Sequence, residues 1–125
     1  MFDHVKFGVR DYAVSKAFYL KALAPLGITG SHEAGGGIEI VGRGDSSLCL
    51  EPTTGTPLPL HIAFIADSRE MVDAFHRAAL EAGGTDHGAP GYRPRYHAGY
   101  YAAFILDPDG HNIEAVFHDR SRTSG

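Results

Sequence analysis

One pattern constrains this chain more than any other: a strand, a helix and three strands, followed by the same order again. Phe2 to Val9 alternates bulky with small or polar residues, as a strand does. Ala13 to Leu26 carries Val14, Ala17, Phe18, Leu20 and Leu23 at helical spacing, with Asp11 as N-cap and Pro25 and Gly27 as the stop. Short strands are expected at Ile28 to His32, Gly37 to Val41 and Ser47 to Glu51, separated by glycine clusters. A linker rich in Pro, Thr and Gly runs from Pro52 to Pro59. The second round has a strand over Leu60 to Ala66 and a helix over Ser68 to Ala82, with an apolar stripe that includes Met71, Val72, Phe75 and Ala79. A short strand near Thr85 to Gly88 and a long loop follow. The chain then forms a hairpin of Tyr100 to Leu106 with His111 to Phe117, around the turn signal Asp107-Pro108-Asp109-Gly110.

Neither half could bury the open face of its own sheet alone. The expected architecture is α+β, a single domain of two βαβββ modules, about residues 1–52 and 60–118. Two curved mixed sheets with helices outside would enclose an open cavity. The chain has 125 residues, 43% of them hydrophobic, which suffices for one packed core. A formal net charge of -4 with no basic block argues against nucleic acid as a partner. Apolar runs such as Tyr100 to Leu106 are too short to cross a bilayer, so no membrane association is expected. No signal-peptide stretch precedes the first strand, and a lone cysteine, Cys49, cannot form an internal disulfide; both suit the cytoplasm. The eight histidines are a first hint of metal or acid–base chemistry.

Strand parity selects the residues that face the cavity. Ile62 and Phe64 belong under a helix, which turns His61, Ala63 and Ile65 the other way. Likewise Val5, Phe7 and Val9 face a helix, leaving His4 and Lys6 on the cavity side. In the last strand Asn112, Glu114 and Val116 point inward. Pairing Leu106 with His111 across the turn would place Tyr101, Ala103 and Ile105 on the face of Glu114. His4, His61 and Glu114 then project into one cavity from three strands. Two imidazoles and a carboxylate are a common set for a divalent metal with open positions, where a substrate oxygen can be polarised.

The opening DHVKFGVRDYAVSKAFY, the strand HIAF and the closing DPDGHNIEAV resemble the vicinal oxygen chelate superfamily. That superfamily includes glyoxalase I, fosfomycin-resistance enzymes, extradiol dioxygenases and bleomycin-resistance proteins. The resemblance runs from His4 to Phe117, and DPDG-x-x-I-E is its most specific piece. It implies one divalent metal (zinc, nickel, manganese or ferrous iron) on His4, His61 and Glu114, a small-molecule substrate, and a homodimer. A fourth ligand or catalytic base, present in some members at the end of the fourth strand, falls nearest to Glu51. Tyr101 would hydrogen-bond the substrate oxygen. Glutathione-dependent glyoxalase I carries an arginine four residues after the first histidine, where this chain has Gly8. Extradiol dioxygenases are usually larger and carry further catalytic histidines. Tyr92 to Tyr101 is similar to a segment of small glyoxalase-like proteins of unassigned activity, and its Arg93, Arg95, His97 and tyrosines suit an anionic or aromatic ligand. The resemblance therefore implies a metal-dependent lyase, isomerase or transferase on a small oxygenated molecule. The alternative is a metal-free protein that sequesters a drug or metabolite, of the bleomycin-resistance type.

Overall fold

A computed structural model describes residues 1–122. The chain forms β1 (His4–Val9), α1 (Tyr12–Leu23), a 3-10 turn (Ala24–Leu26), β2 (Gly30–Ala34), β3 (Gly37–Val41) and β4 (Ser47–Pro52). The second half forms β5 (His61–Ile65), α2 (Arg69–Glu81), β6 (Thr85–Tyr92), β7 (Tyr100–Leu106) and β8 (Asn112–His118). Two four-stranded sheets result, in the orders β1-β4-β3-β2 and β5-β8-β7-β6. In each, the first strand lies parallel to the fourth and the remaining pairs are antiparallel, so the sheets are mixed and repeat one topology. The expected pair of βαβββ halves is the architecture observed.

Local signals explain the boundaries. The Asp11 carboxylate accepts from Val14 N at 3.1 Å, and Ser68 Oγ accepts from Met71 N at 3.2 Å, so both helices start on a side-chain cap that contributes about 1 kcal/mol. Gly35 and Gly36 both take positive φ between β2 and β3, as a two-residue hairpin turn of this hand demands. The buried face of α1 is Ser15, Phe18, Tyr19, Ala22 and Leu23, whereas Val14, expected on the apolar stripe, is exposed. On α2, Val72, Phe75 and Ala79 are buried as expected.

The helices join the halves. α1 and α2 pack on each other, each also packs on its own sheet, and no strand of one sheet packs extensively on a strand of the other. One continuous core results, running from Val9, Ile38 and Leu50 of the first sheet through Phe18, Leu23 and Phe75 to Ile105 and Ile113 of the second. A Cβ at Gly84 would stand 2.8 Å from the Phe18 ring and 2.6 Å from Ile105, which shows how closely α1 reaches the second sheet. Polar clamps add to this. Tyr19 OH donates to the buried Asp107 carboxylate, and Arg10 Nε donates to Asp109 at 3.0 Å. The turn that carries the resemblance thus holds the two halves together.

That turn also sets a register that differs from the expected one. Asp107 N donates to His111 O at 2.9 Å, and the Asp107 carboxylate accepts from Asp109 N and His111 N. Asp107 and His111 therefore close the turn, and Leu106 pairs with Asn112 rather than with His111. A shift of one residue turns every β7 side chain to the opposite face. Among the described residues no helix is long and apolar enough to cross a membrane.

Candidate functional site

Each sheet has one face under helices and one open face. On the second sheet, β5 and β8 run parallel with His61 beside Asn112 and Ala63 beside Glu114, which puts the His61 and Glu114 side chains on the open face. Glu114 lies only 2% exposed. Its burial is tolerable because both oxygens are bonded: Oε1 lies 2.9 Å from His61 Nε2, and Oε2 accepts from Tyr100 OH at 2.5 Å. The His61 side chain, by contrast, is about half exposed and opens towards solvent.

Tyr100 occupies the open-face position that sequence parity had given to Tyr101. With Phe104 opposite Glu114, the open face of β7 carries Tyr100, Ala102 and Phe104. The expected placement of Tyr101 in the cavity is corrected: it faces α2, and its hydroxyl donates to Asp73 at 2.6 Å. Burial, followed by that hydrogen bond, raises the Tyr101 phenol to about 12. Burial, followed by the bond to Glu114, raises the Tyr100 phenol as well, so Tyr100 is fixed as a donor to the carboxylate at neutral pH. Beyond Tyr100, His97 Nε2 lies 3.0 Å from His118 Nδ1, and the two rings stack. His97 Nδ1 accepts from Gly99 N, which leaves Nε2 as the protonated nitrogen that donates to His118. Burial lowers the His118 pKa.

His111 does not belong to this cluster. It is 1% exposed, its Nδ1 accepts from Leu60 N at 3.0 Å, and Phe7 meets its ring edge-on. It is a core histidine that locks the start of β5 onto the hairpin turn.

The other expected residues lie on the first sheet. His4 is exposed and its Nδ1 pairs with Asp3 at 2.8 Å. Glu51 is exposed and pairs with Lys6 at 3.4 Å, beside a recess that also takes in His32, Glu39 and Cys49. Among the described residues no three His, Cys, Asp or Glu side chains come together in a way that could hold a metal. Within this chain His61 and Glu114 come together, whereas His4 pairs with Asp3. The helices, rather than strand pairing, join the two halves.

The open face of the second sheet borders a cavity of about 470 Å³ that has His61, Phe104 and Asn112 in its wall. Its far side is β6, which the sequence suggested would end near Gly88. It extends to Tyr92, pairing with β7 through two irregularities.

The comparisons with known proteins agree with this geometry. The family model for the Glyoxalase/Bleomycin resistance protein/Dioxygenase superfamily matches residues 1–115. A glyoxalase/bleomycin resistance protein from Albidiferax ferrireducens T118 is 33% identical, with 93% of this chain and 98% of that chain covered and a TM-score of 0.82. A family enzyme from Burkholderia phytofirmans PsJN, 19% identical over 94% of this chain and 98% of that one with a TM-score of 0.73, shares the fold. Oxidase ChaP-H2 is 25% identical, covering 100% of this chain and 98% of that chain, with a TM-score of 0.70. No curated protein matches the sequence. With two βαβββ halves, a buried glutamate at the open face and a match over nearly its whole length, the chain belongs to the glyoxalase/bleomycin resistance protein/dioxygenase superfamily.

Proposed function

We propose that this protein is a metal-dependent enzyme acting on a small oxygenated molecule in the cytoplasm, and that its site is completed between two copies of the chain. The observation that carries the reading is the Tyr100–Glu114–His61 arrangement: a deeply buried carboxylate, held on both oxygens, whose histidine partner opens onto a cavity. A buried carboxylate of this kind is costly unless it is paired. Members of the superfamily generally bind a divalent metal and small molecules.

The donor set suits such an ion. His61 and Glu114 supply one nitrogen and one oxygen from this face, and His4 from the open face of a second copy would supply another nitrogen. Zinc, nickel, manganese and ferrous iron accept that set about equally. When bound, the ion would act as a Lewis acid for a substrate oxygen. The chain's own residues do the rest. Tyr100 orients the Glu114 carboxylate, as second partners of metal ligands do. His61 and Asn112 border the space a substrate would enter. Glu51, from the opposing face, is the candidate to move a proton, since it is exposed and only loosely held by Lys6.

The same geometry supports a homodimer. Both sheets leave one face open, and Phe2, Leu58 and Ile65 are large apolar side chains at least 71% exposed. The reading is tested by metal analysis of protein purified without chelator or nickel affinity, against the His4→Ala, His61→Ala, Glu114→Gln triple variant. One ion per wild-type chain and none in the variant is expected, together with turnover of a 2-oxoaldehyde thiol adduct, epoxide or hydroxy-keto acid that chelation abolishes. Equal metal in both proteins would sink it. Metal-free protein that binds an aromatic ligand tightly without turnover would favour sequestration instead.

A further inference from the structure

We infer that the cavity beside His61 recognises a small organic oxyanion, a carboxylate or a phosphate ester, through Arg93 and Arg95. The inference deepens the proposed function by naming a substrate class, and it rests on that reading only for placing the oxyanion's remainder near His61 and Glu114. The recognition itself requires no metal.

Four observations carry it. First, the cavity of about 470 Å³ is of the size that takes a small metabolite, and among the described residues its wall holds two guanidinium groups and two imidazoles, of His61 and His87, with no carboxylate. This occurs in a chain whose formal net charge is -4. Second, the guanidinium donors are largely uncommitted. Among the described residues neither arginine forms an ion pair; Arg93 Nη2 donates to Ala89 O at 2.7 Å, and Arg95 Nη2 donates to Tyr96 OH at 3.0 Å. A guanidinium has five N–H donors, so most of each fork is free to grip an oxyanion with two bonds.

Third, the forks are held in place. The Arg93 guanidinium lies 5.4 Å from the centroid of the Phe104 ring, and that of Arg95 lies 4.9 Å from that of Tyr96. Stacking of this kind fixes the plane and leaves the edge for hydrogen bonds. Fourth, the strand beneath is built to admit the Arg93 head. A Cβ at Gly91 would stand 2.9 Å from Arg93 Nη1. One at Gly88 would stand 3.3 Å from Nη2 and 2.8 Å from the Phe104 ring. Both glycines lie at the irregularities of β6, and Gly88 has φ +156°, which a side chain rarely adopts.

The test is an amide NMR titration of the wild-type protein after chelator treatment, using benzoate, phenyl phosphate, inorganic phosphate and neutral benzyl alcohol as probes. Anionic probes should shift the amides of Gly88 to Arg95 and Phe104, and benzyl alcohol should bind at least about tenfold more weakly, the worth of one charge-assisted hydrogen bond. Arg93→Gln with Arg95→Gln should lower anion affinity by about tenfold or more. Gly91→Ala, which keeps both charges but displaces the Arg93 head, should lower it by a smaller factor. Benzoate against phenyl phosphate decides between carboxylate and phosphate ester; inorganic phosphate binding equally well would reduce the site to a phosphate site and overturn the organic class. Equal binding of the neutral alcohol, unchanged affinity in the double arginine variant, or no response to any anion would each overturn the inference. Anion binding in protein that never holds metal would leave it standing while the metal reading fails. Metal binding with no anion response would do the reverse.

Discussion

The two halves set the same backbone under different side chains. His4 opens β1 beside Ser47, just as His61 opens β5 beside Asn112. Two residues further on, Lys6 lies beside Cys49 where Ala63 lies beside Glu114. The first half therefore carries a thiol at the position where the second carries its carboxylate. The consequences are local and large. Glu114 is buried with both oxygens bonded, whereas Cys49 is half-buried and touches Ser47 Oγ only at 3.9 Å. His61 points at a carboxylate within its own sheet, whereas His4 turns to the exposed Asp3. A repeated topology thus supplies two equivalent scaffolds, and only the second pairs its first histidine with a buried carboxylate. In the proposed function the first scaffold contributes single groups, His4 and Glu51.

The comparison can be broken most severely at Glu114. Glu114→Gln should weaken divalent-metal binding by more than about 100-fold, beyond the effect of losing an outer partner of a ligand. Cys49→Ser at the equivalent position should leave it unchanged. Isothermal titration with zinc or manganese measures both, and equal effects would mean that the halves are functionally alike.

Next in size is the clamp between the halves. Tyr19→Phe removes the donor to the buried Asp107 and leaves that carboxylate short of a partner, at a cost of about 1.5–3 kcal/mol in denaturant unfolding. A loss below about 0.5 kcal/mol would show that packing alone holds the halves together.

The adjacent tyrosines give a sharper contrast of smaller size. Tyr100→Phe should lower metal affinity by about tenfold, since the hydroxyl orients Glu114 and satisfies its buried Oε2. Tyr101→Phe should leave metal affinity alone and cost about 1 kcal/mol through the lost bond to Asp73. The reverse pattern would restore the register that the sequence alone suggested.

The smallest effect is one of pH. His118 has a folded pKa below its ordinary value because of burial, so the folded state favours its neutral form. Its contribution is complete above the unfolded pKa of about 6.5 and is lost as pH falls through the depressed folded value. Stability should therefore fall in that acidic window, and His118→Gln should flatten part of the slope in pH-dependent unfolding. The histidines of the first sheet, His4 and His32, are exposed.

The sequence carried the fold well because its signals are local and repeated. Apolar parity in HIAF and NIEAV faithfully separated the helix-covered from the open side of the second sheet, and so selected His61 and Glu114. It failed at β7 for one physical reason: the Asp107 side chain and the Asp107–His111 pair close the hairpin one residue later than a simple count across the turn, and that single step exchanged Tyr100 for Tyr101. The length of β6 was hidden because Gly88-Ala89-Pro90-Gly91 has the composition of a loop, and only pairing with β7 makes it a strand. His4 is exposed at the head of β1, and nothing in the sequence says which groups of another copy it would meet.

Mixing two inactive variants tests that last point, and with it the site shared between copies, most directly. His4→Ala and Glu114→Gln chains are purified separately, mixed under conditions that exchange subunits, and assayed for bound metal. Each variant alone should hold no ion. A mixed pair has one intact combination, His4 of one chain with His61 and Glu114 of the other, and should recover one ion per pair. No recovery on mixing, or full metal in the His4→Ala protein alone, would contradict a site completed by a second copy.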